Sequence, residues 1–147
     1  MRKYREFIPI VMFLLTVLTC GCTSDKSVWV CKPEKGLKII LNIDENAQHA
    51  TVSVRPKNFA SPTGRDYLFH DGQQFYISND TLYRIGYHTE WDGTDITDVT
   101  TIHTVYGVSK EDGFVITSKS DNSLSLSHFG FVPAYAYLIT EYVFENK

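Results

Sequence analysis

The stretch LKIILNIDENAQHATVSV, Leu37–Val54, decides the fold class of this chain. Its two ends, LKIILNI and ATVSV, place apolar side chains at every second position, as a strand with one buried face does. Asp44–Ala47, directly after the first of these runs, have the polar composition of a turn. The stretch therefore predicts an antiparallel hairpin whose inner face contributes to a core.

Beyond this hairpin, short strand-like segments alternate with turn signals. Pro56–Asp66 contains two prolines and a glycine and predicts a loop. Asp-Gly pairs favour tight hairpin turns, and the chain has three, at Asp71-Gly72, Asp92-Gly93 and Asp112-Gly113. We predict further strands at Tyr67–Phe69, Gln74–Ile77, Leu82–His88, Val99–Val108, Phe114–Ser118, Ser123–Phe129 and Ala134–Phe144.

No convincing helical periodicity follows Ser27. The pattern predicts an all-β domain, a single small antiparallel barrel or sandwich of about eight to nine strands. We favour the barrel, because a long C-terminal strand can close onto an early one. The alternation within single strands does not determine that closure.

The first 22 residues differ from the rest. Arg2, Lys3 and Arg5 precede an uncharged apolar run, Phe7–Leu18, which is shorter than the ~20 residues of a membrane-spanning helix. A basic start followed by such a run is typical of a secretory signal peptide. Leu18-Thr19-Cys20-Gly21-Cys22 then resembles the lipobox of bacterial lipoproteins. An ordinary cleaved signal peptide is the alternative.

The lipobox resemblance implies that Cys22 carries the lipid, palmitate included, because the small Gly21 precedes it. Cys20, which follows the branched Thr19, is the alternative lipidation site. Thr23, rather than Asp, stands after Cys22, which implies the outer membrane if the organism is Gram-negative. The predicted organisation is a signal peptide over residues 1–21, a lipidated N-terminus and short tether over 22–27, and a β-domain over 28–147. The localisation would be the bacterial cell envelope.

Composition narrows the function. The chain has 147 residues, is 43% hydrophobic and carries a net charge of -3, which excludes a disordered chain and a basic nucleic-acid binder. The leader holds three of the 14 basic and one of the 17 acidic residues, so residues 22–147 carry 11 and 16, a net charge of -5. No nucleotide, hydrolase or zinc motif occurs. We therefore expect no cofactor and no enzymatic activity.

Cys31 would be the one thiol outside the lipobox. It is expected to be a buried small hydrophobic residue, or else an intermolecular disulfide partner. If Cys20 carries the lipid, Cys22 and Cys31 can pair instead.

Two groups of side chains are candidates for function. Alternation along an extended strand would put His88, Glu90 and Asp92 on one face, with His103 on the next strand, as weak candidates for a metal site; a solvated hairpin tip explains the same residues. Large aromatic residues form the second group, a possible binding surface or a core face. Its members are Trp91, Tyr83, Tyr87, Phe129, Phe131, Tyr135 and Tyr137.

Trp29-x-Cys31 on a first strand is faintly similar to the membrane-bound inhibitors of c-type lysozyme. That resemblance implies an eight-stranded barrel with a disulfide to a later cysteine, but no cysteine follows Cys31. The predicted function is a lipid-anchored, non-enzymatic β-domain that binds a protein or other envelope partner. A surface inhibitor or exclusion factor and a metal-dependent envelope enzyme are the alternatives.

Overall fold

The computed structural model describes residues 25–91, 102–132 and 138–147, through which ten β-strands run. In chain order they are β1 (Lys26–Glu34), β2 (Leu37–Asp44), β3 (His49–Arg55), β4 (Asp66–Tyr67), β5 (Gln74–Ser78), β6 (Thr81–Trp91), β7 (Ile102–Lys119), β8 (Ser123–Phe129), β9 (Leu138–Ile139) and β10 (Glu141–Asn146). Within these three ranges, no helix is long and apolar enough to cross a membrane.

Eight of the strands close into an antiparallel barrel in the order β1-β2-β3-β5-β6-β7-β8-β10. Each barrel strand pairs with the next one along the chain, and β10 pairs back with β1 through Trp29–Asn146 and Val30–Glu145. The all-β class and the preferred barrel are therefore confirmed. The closing strand is β10, at the C-terminal end of the chain.

The hairpin that decides the fold has its inner face in the barrel core. Leu41 pairs with Val52 across β2 and β3, and both side chains are buried. An eight-stranded barrel is just wide enough for side chains to fill its interior. The buried apolar residues are Trp29, Cys31, Leu37, Ile39, Leu41, Ile43, Ala50, Val52, Val54, Phe69, Phe75, Leu82, Phe114, Leu124, Leu126, Tyr142 and Phe144.

Phe69 belongs to no barrel strand, yet it lies in the middle of this core. Its ring stacks on Phe114 with 4.3 Å between centroids and meets Phe75, Tyr142 and Phe144 edge to face. The connection between β4 and β5 thus closes one end of the barrel with an aromatic plug.

The barrel has two distinct ends. One, the N-terminal rim, holds the start of β1 and the turns that follow β2, β5 and β7. The other, the distal rim, holds the β1–β2 turn, the connection from β3 to β5, and residues 130–132 and 138–140. The antiparallel meander forces this division, because successive turns alternate between ends.

A two-stranded ribbon extends beyond the distal rim. β5 pairs with β6 only as far as Ile85, and β8 pairs with β7 only from Gly113 onward. The segments 86–91 and 102–107 therefore pair with each other alone among the described residues. Where the ribbon leaves the barrel, residues 109–112 of β7 face the single residue Arg84, which is a large β-bulge of the special type.

One turn prediction and two strand predictions differ from the structure. The hairpin turn predicted at Asp112-Gly113 is wrong, because both residues belong to the continuous β7. Asp71-Gly72 does lie in a turn, but this turn joins β4 to β5, which do not pair with each other. The strand predicted over Tyr67–Phe69 is reduced to β4, since Phe69 turns inward. Ala134–Phe144 is represented by β9 and β10, with residues 133–137 outside the described ranges. Asp92-Gly93 also lies outside them.

Candidate functional site

The outward face of the ribbon carries a pair of exposed tyrosines. Tyr87 and Tyr106 are direct cross-strand partners, and their rings meet at 5.0 Å between centroids with a 67° interplanar angle. They are 74% and 61% exposed. Ile85 and Val108 form the preceding pair on the same face, beside the barrel. We refer to these four residues as the tyrosine face.

The structure divides the predicted aromatic surface. Tyr87 is exposed, whereas Tyr83 and Phe129 are partly buried and pack against each other at 5.9 Å. Phe131 is 92% exposed, but it does not continue the face of Phe129, because β8 ends at Phe129 and Gly130 turns the chain with φ +114°. The side chains of Trp91, Tyr135 and Tyr137 lie outside the described residues. Tyr106 was missing from the predicted set.

The opposite face of the ribbon is polar. His88 and Glu90 share it, as alternation predicted, and Glu90 is the cross-strand partner of His103. The Nε2 atom of His88 lies 2.7 Å from a Glu90 carboxylate oxygen, and Nδ1 lies 3.2 Å from the Gly86 carbonyl oxygen. Because both partners are hydrogen-bond acceptors, both ring nitrogens must donate. The carboxylate of Glu90, first of all, therefore raises the pKa of His88.

The three candidates that the structure describes, His88, Glu90 and His103, are not arranged as a metal site. A histidine ligates a metal through an unprotonated ring nitrogen, and both nitrogens of His88 are engaged. Across the described ranges, no group of three histidine, cysteine, aspartate or glutamate side chains is arranged to hold a metal ion. Asp92, the fourth candidate, lies outside those ranges.

The bulge at the base of the ribbon contains a polar network that sequence reasoning missed. Asp112 accepts from Arg84 at 2.6 Å and from Nε2 of His128 at 2.9 Å. The His128 side chain is only 5% exposed, with its ring edge to face against Phe114. Nδ1 of His128 is buried and has no hydrogen-bond partner among the described residues. A ring so enclosed cannot reach a substrate, so the network fixes the bulge rather than forming an accessible site.

A second polar cluster fastens the connection between β3 and β5 to the barrel. The carboxylate of Glu34, at the end of β1, accepts hydrogen bonds from the hydroxyl groups of Ser61, Thr63 and Tyr67. These bonds, that from Tyr67 above all, lower the pKa of Glu34. Burial, and then the neighbouring carboxylate, raises the pKa of Tyr67 to about 12.

Cys31 is a free thiol within the core, 4% exposed. Burial raises its pKa to about 11. At neutral pH the thiolate, which is the reactive form, is therefore nearly absent. Cys31 behaves as the buried small hydrophobic residue that was the first expectation for it.

Comparison of the chain with protein-family models, with curated proteins and with solved structures finds no match.

Proposed function

We propose that this protein is a lipid-anchored lipoprotein of the bacterial cell envelope whose β-domain binds a protein partner through the tyrosine face. The observation that carries the proposal is the exposed Tyr87–Tyr106 pair on a ribbon that projects from the barrel. Tyrosine is enriched among the residues that dominate binding energy, because it brings large apolar area with a hydroxyl that tolerates a wet rim.

The geometry of the chain supports this arrangement. The N-terminal rim receives the residues that follow the lipobox, and the ribbon leaves from the distal rim. A lipid on Cys22 would thus hold the domain at one end and present the tyrosine face at the other.

Photo-crosslinking in living cells tests the proposal. A photoreactive phenylalanine analogue replaces Tyr87 or Tyr106 in the full-length protein, and for the control it replaces Val143, which is 60% exposed on the barrel wall. We expect one discrete crosslinked partner from positions 87 and 106 that position 143 does not capture. Identical crosslinking patterns from all three positions would contradict the proposal.

Measuring the affinity of variants for the crosslinked partner then shows whether the two tyrosines contribute to binding or only lie near the partner. Each hot-spot residue contributes about 2 kcal/mol or more, so Tyr87→Ser/Tyr106→Ser should weaken binding at least tenfold. Val143→Ser should leave the affinity unchanged.

A second candidate, a surface inhibitor of an attacking enzyme, is favoured by one observation. The barrel has eight strands, the number that resemblance to the membrane-bound lysozyme inhibitors implies. A lysozyme inhibition assay with the full-length protein tests it directly.

A further inference from the structure

Six of the eleven basic residues in the described ranges lie on one flank of the distal rim. Four of them, Lys32, Lys35, Lys38 and Arg55, line a shallow groove of about 830 Å³ between the β1–β2 turn and the end of β3. Lys57 and Arg65 stand beside it. We call this feature the basic groove. It lies on a β-domain whose overall charge is negative, so its positive potential is local.

Folding does not explain this clustering. Lys38 and Arg55 are direct cross-strand partners on the outside of the barrel, and like charges so placed destabilise a sheet. Lys32 stands outward on the adjacent strand and lines the same groove. Among the described residues, Lys32, Lys35 and Lys38 form no ion pair. Arg55 has Asp71 as a counter-ion, so the cations that lack a paired carboxylate among the described residues are the three lysines.

Two of the nearby carboxylates, Glu34 and Asp71, are already engaged, whereas Glu145, which lines a neighbouring hollow with Lys32 and Lys38, forms no ion pair with either lysine. Glu34 accepts the three hydroxyl groups described above. Asp71 accepts from the Val54 amide at 2.9 Å and is shared by Arg55 and Lys57 at 3.1 and 3.6 Å. Neither lies within ion-pair distance of the three unpaired lysines.

The groove is not purely ionic. Pro33, Pro56 and Leu37 contribute to its lining between the cationic groups. An extended peptide can fill such a surface, because its carboxylates meet the lysines while its apolar side chains cover the prolines. A phosphate polymer offers only charge, and a flat membrane would leave the concave floor uncovered.

We infer that the basic groove docks an extended acidic segment of a partner protein, in which carboxylates alternate with apolar side chains. The inference stands apart from the tyrosine face, since it rests on other residues and on charge rather than aromatic contact. Docking would relieve the cation repulsion and bury the proline floor in the same step.

Fluorescence anisotropy with the full-length protein in nonionic detergent tests the inference. The probe is a short labelled peptide in which Asp alternates with Leu, and its matched control has Asn in place of every Asp. We expect the Asp peptide alone to bind, with an affinity that falls as salt rises. Lys32→Gln/Lys38→Gln should weaken binding at least tenfold.

Lys119→Gln removes a positive charge from the N-terminal rim, where Lys119 pairs with Glu45, and should leave binding unchanged. The double variant should melt no lower than the wild-type protein, since it removes repulsion. If the double variant folds poorly, the single variant Lys35→Gln, in the exposed β1–β2 turn, replaces it in the binding measurement and should also weaken binding of the Asp peptide. Absent binding, equal loss in Lys119→Gln, or tighter binding of inorganic polyphosphate than of the Asp peptide would each overturn the inference.

Discussion

The protonation of His88 makes the stability of the ribbon depend on pH. Its two hydrogen bonds run to oxygen acceptors, Glu90 and the Gly86 carbonyl. Only the imidazolium form can donate both at once, so folding favours the protonated ring and raises its pKa. The folded state therefore binds this proton more tightly than the unfolded chain does.

The sign of the effect follows directly. A group whose pKa is raised by folding stabilises the protein fully below its unfolded pKa, about 6.5, and loses that contribution as the pH rises through the folded value. Glu90→Gln should therefore destabilise the protein more at about pH 6 than at about pH 9. Urea unfolding of both proteins at each pH measures this difference.

The matched control is Glu145→Gln, which removes a carboxylate that forms no ion pair among the described residues. The change in the free energy of unfolding caused by Glu145→Gln should be the same at both pH values, unlike the change caused by Glu90→Gln. NMR titration should also show a lower His88 pKa in Glu90→Gln than in the wild-type protein. The remaining hydrogen bond to the Gly86 carbonyl should retain part of the upward shift. A His88 pKa that is the same in both proteins would refute the assignment.

At this scale the sequence predicts neighbours along a strand and little more. Period-two alternation placed His88 and Glu90 on one face, and the structure confirms it. The network of Arg84, Asp112 and His128 could not be predicted from the sequence, because its members come from three strands and meet only through a bulge. No local pattern encodes that four residues of β7 will face one residue of β6.

Among the elements, Asp112-Gly113 shows why one dipeptide supports two structures. Glycine allows a tight turn, but it also allows close approach of two backbones. At position 113 the second use applies, since a Cβ atom would collide with the carbonyl oxygen of Leu82 on the neighbouring strand. The presence of glycine in the sequence is compatible with both uses, and nothing in the local pattern distinguishes a tight turn from a close approach of two strands.

Strand bounds were predictable where one face is buried. The predicted Ser123–Phe129 matches β8, and Leu37–Ile43 falls one residue short of β2. Where the chain packs as a plug rather than a strand, alternation gave the wrong element, as it did at Phe69.

The plug itself gives a testable prediction. Phe69 is 3% exposed, stacked on Phe114 and surrounded by three further rings. Phe69→Ala should lower the free energy of unfolding by about 3–5 kcal/mol, because it opens a cavity inside a closed barrel that cannot collapse around it. Chemical denaturation measures the loss.

Phe131→Ala is the matched control, because that ring is 92% exposed and should change stability by less than ~0.5 kcal/mol. Phe69→Leu should lie between the two. Equal, small effects of Phe69→Ala and Phe131→Ala would mean that the aromatic plug does not close the barrel.

For the whole molecule, the meander determines which features share an end. Each barrel strand reverses direction, so the chain's entry point and the ribbon fall on opposite rims. The strands between them span about seven residues, or roughly 23 Å at ~3.3 Å per residue. Sequence reasoning preferred the closed barrel, but the strand register that separates the rims depends on pairings between segments far apart in the chain.

If Cys22 carries the lipid, this geometry also determines how the domain stands on a membrane. Labelled palmitate should enter the wild-type protein and Cys20→Ser but not Cys22→Ser, which locates the anchor. If labelled palmitate still enters Cys22→Ser but not Cys20→Ser, the lipid is on Cys20 instead. The anchor would still precede β1 and lie nearest the N-terminal rim.

Orientation then follows from single labels on the lipidated protein in vesicles that contain a headgroup quencher. Ser120→Cys places a maleimide fluorophore at the N-terminal rim, and Phe131→Cys places one at the distal rim. Cys31 stays unlabelled, because it is buried and its pKa is about 11. The tether Thr23–Ser27 reaches only ~17 Å, so the label at position 120 should be quenched more strongly than that at 131. Equal or reversed quenching would mean that the barrel lies on its side, and the tyrosine face would then not be held away from the bilayer.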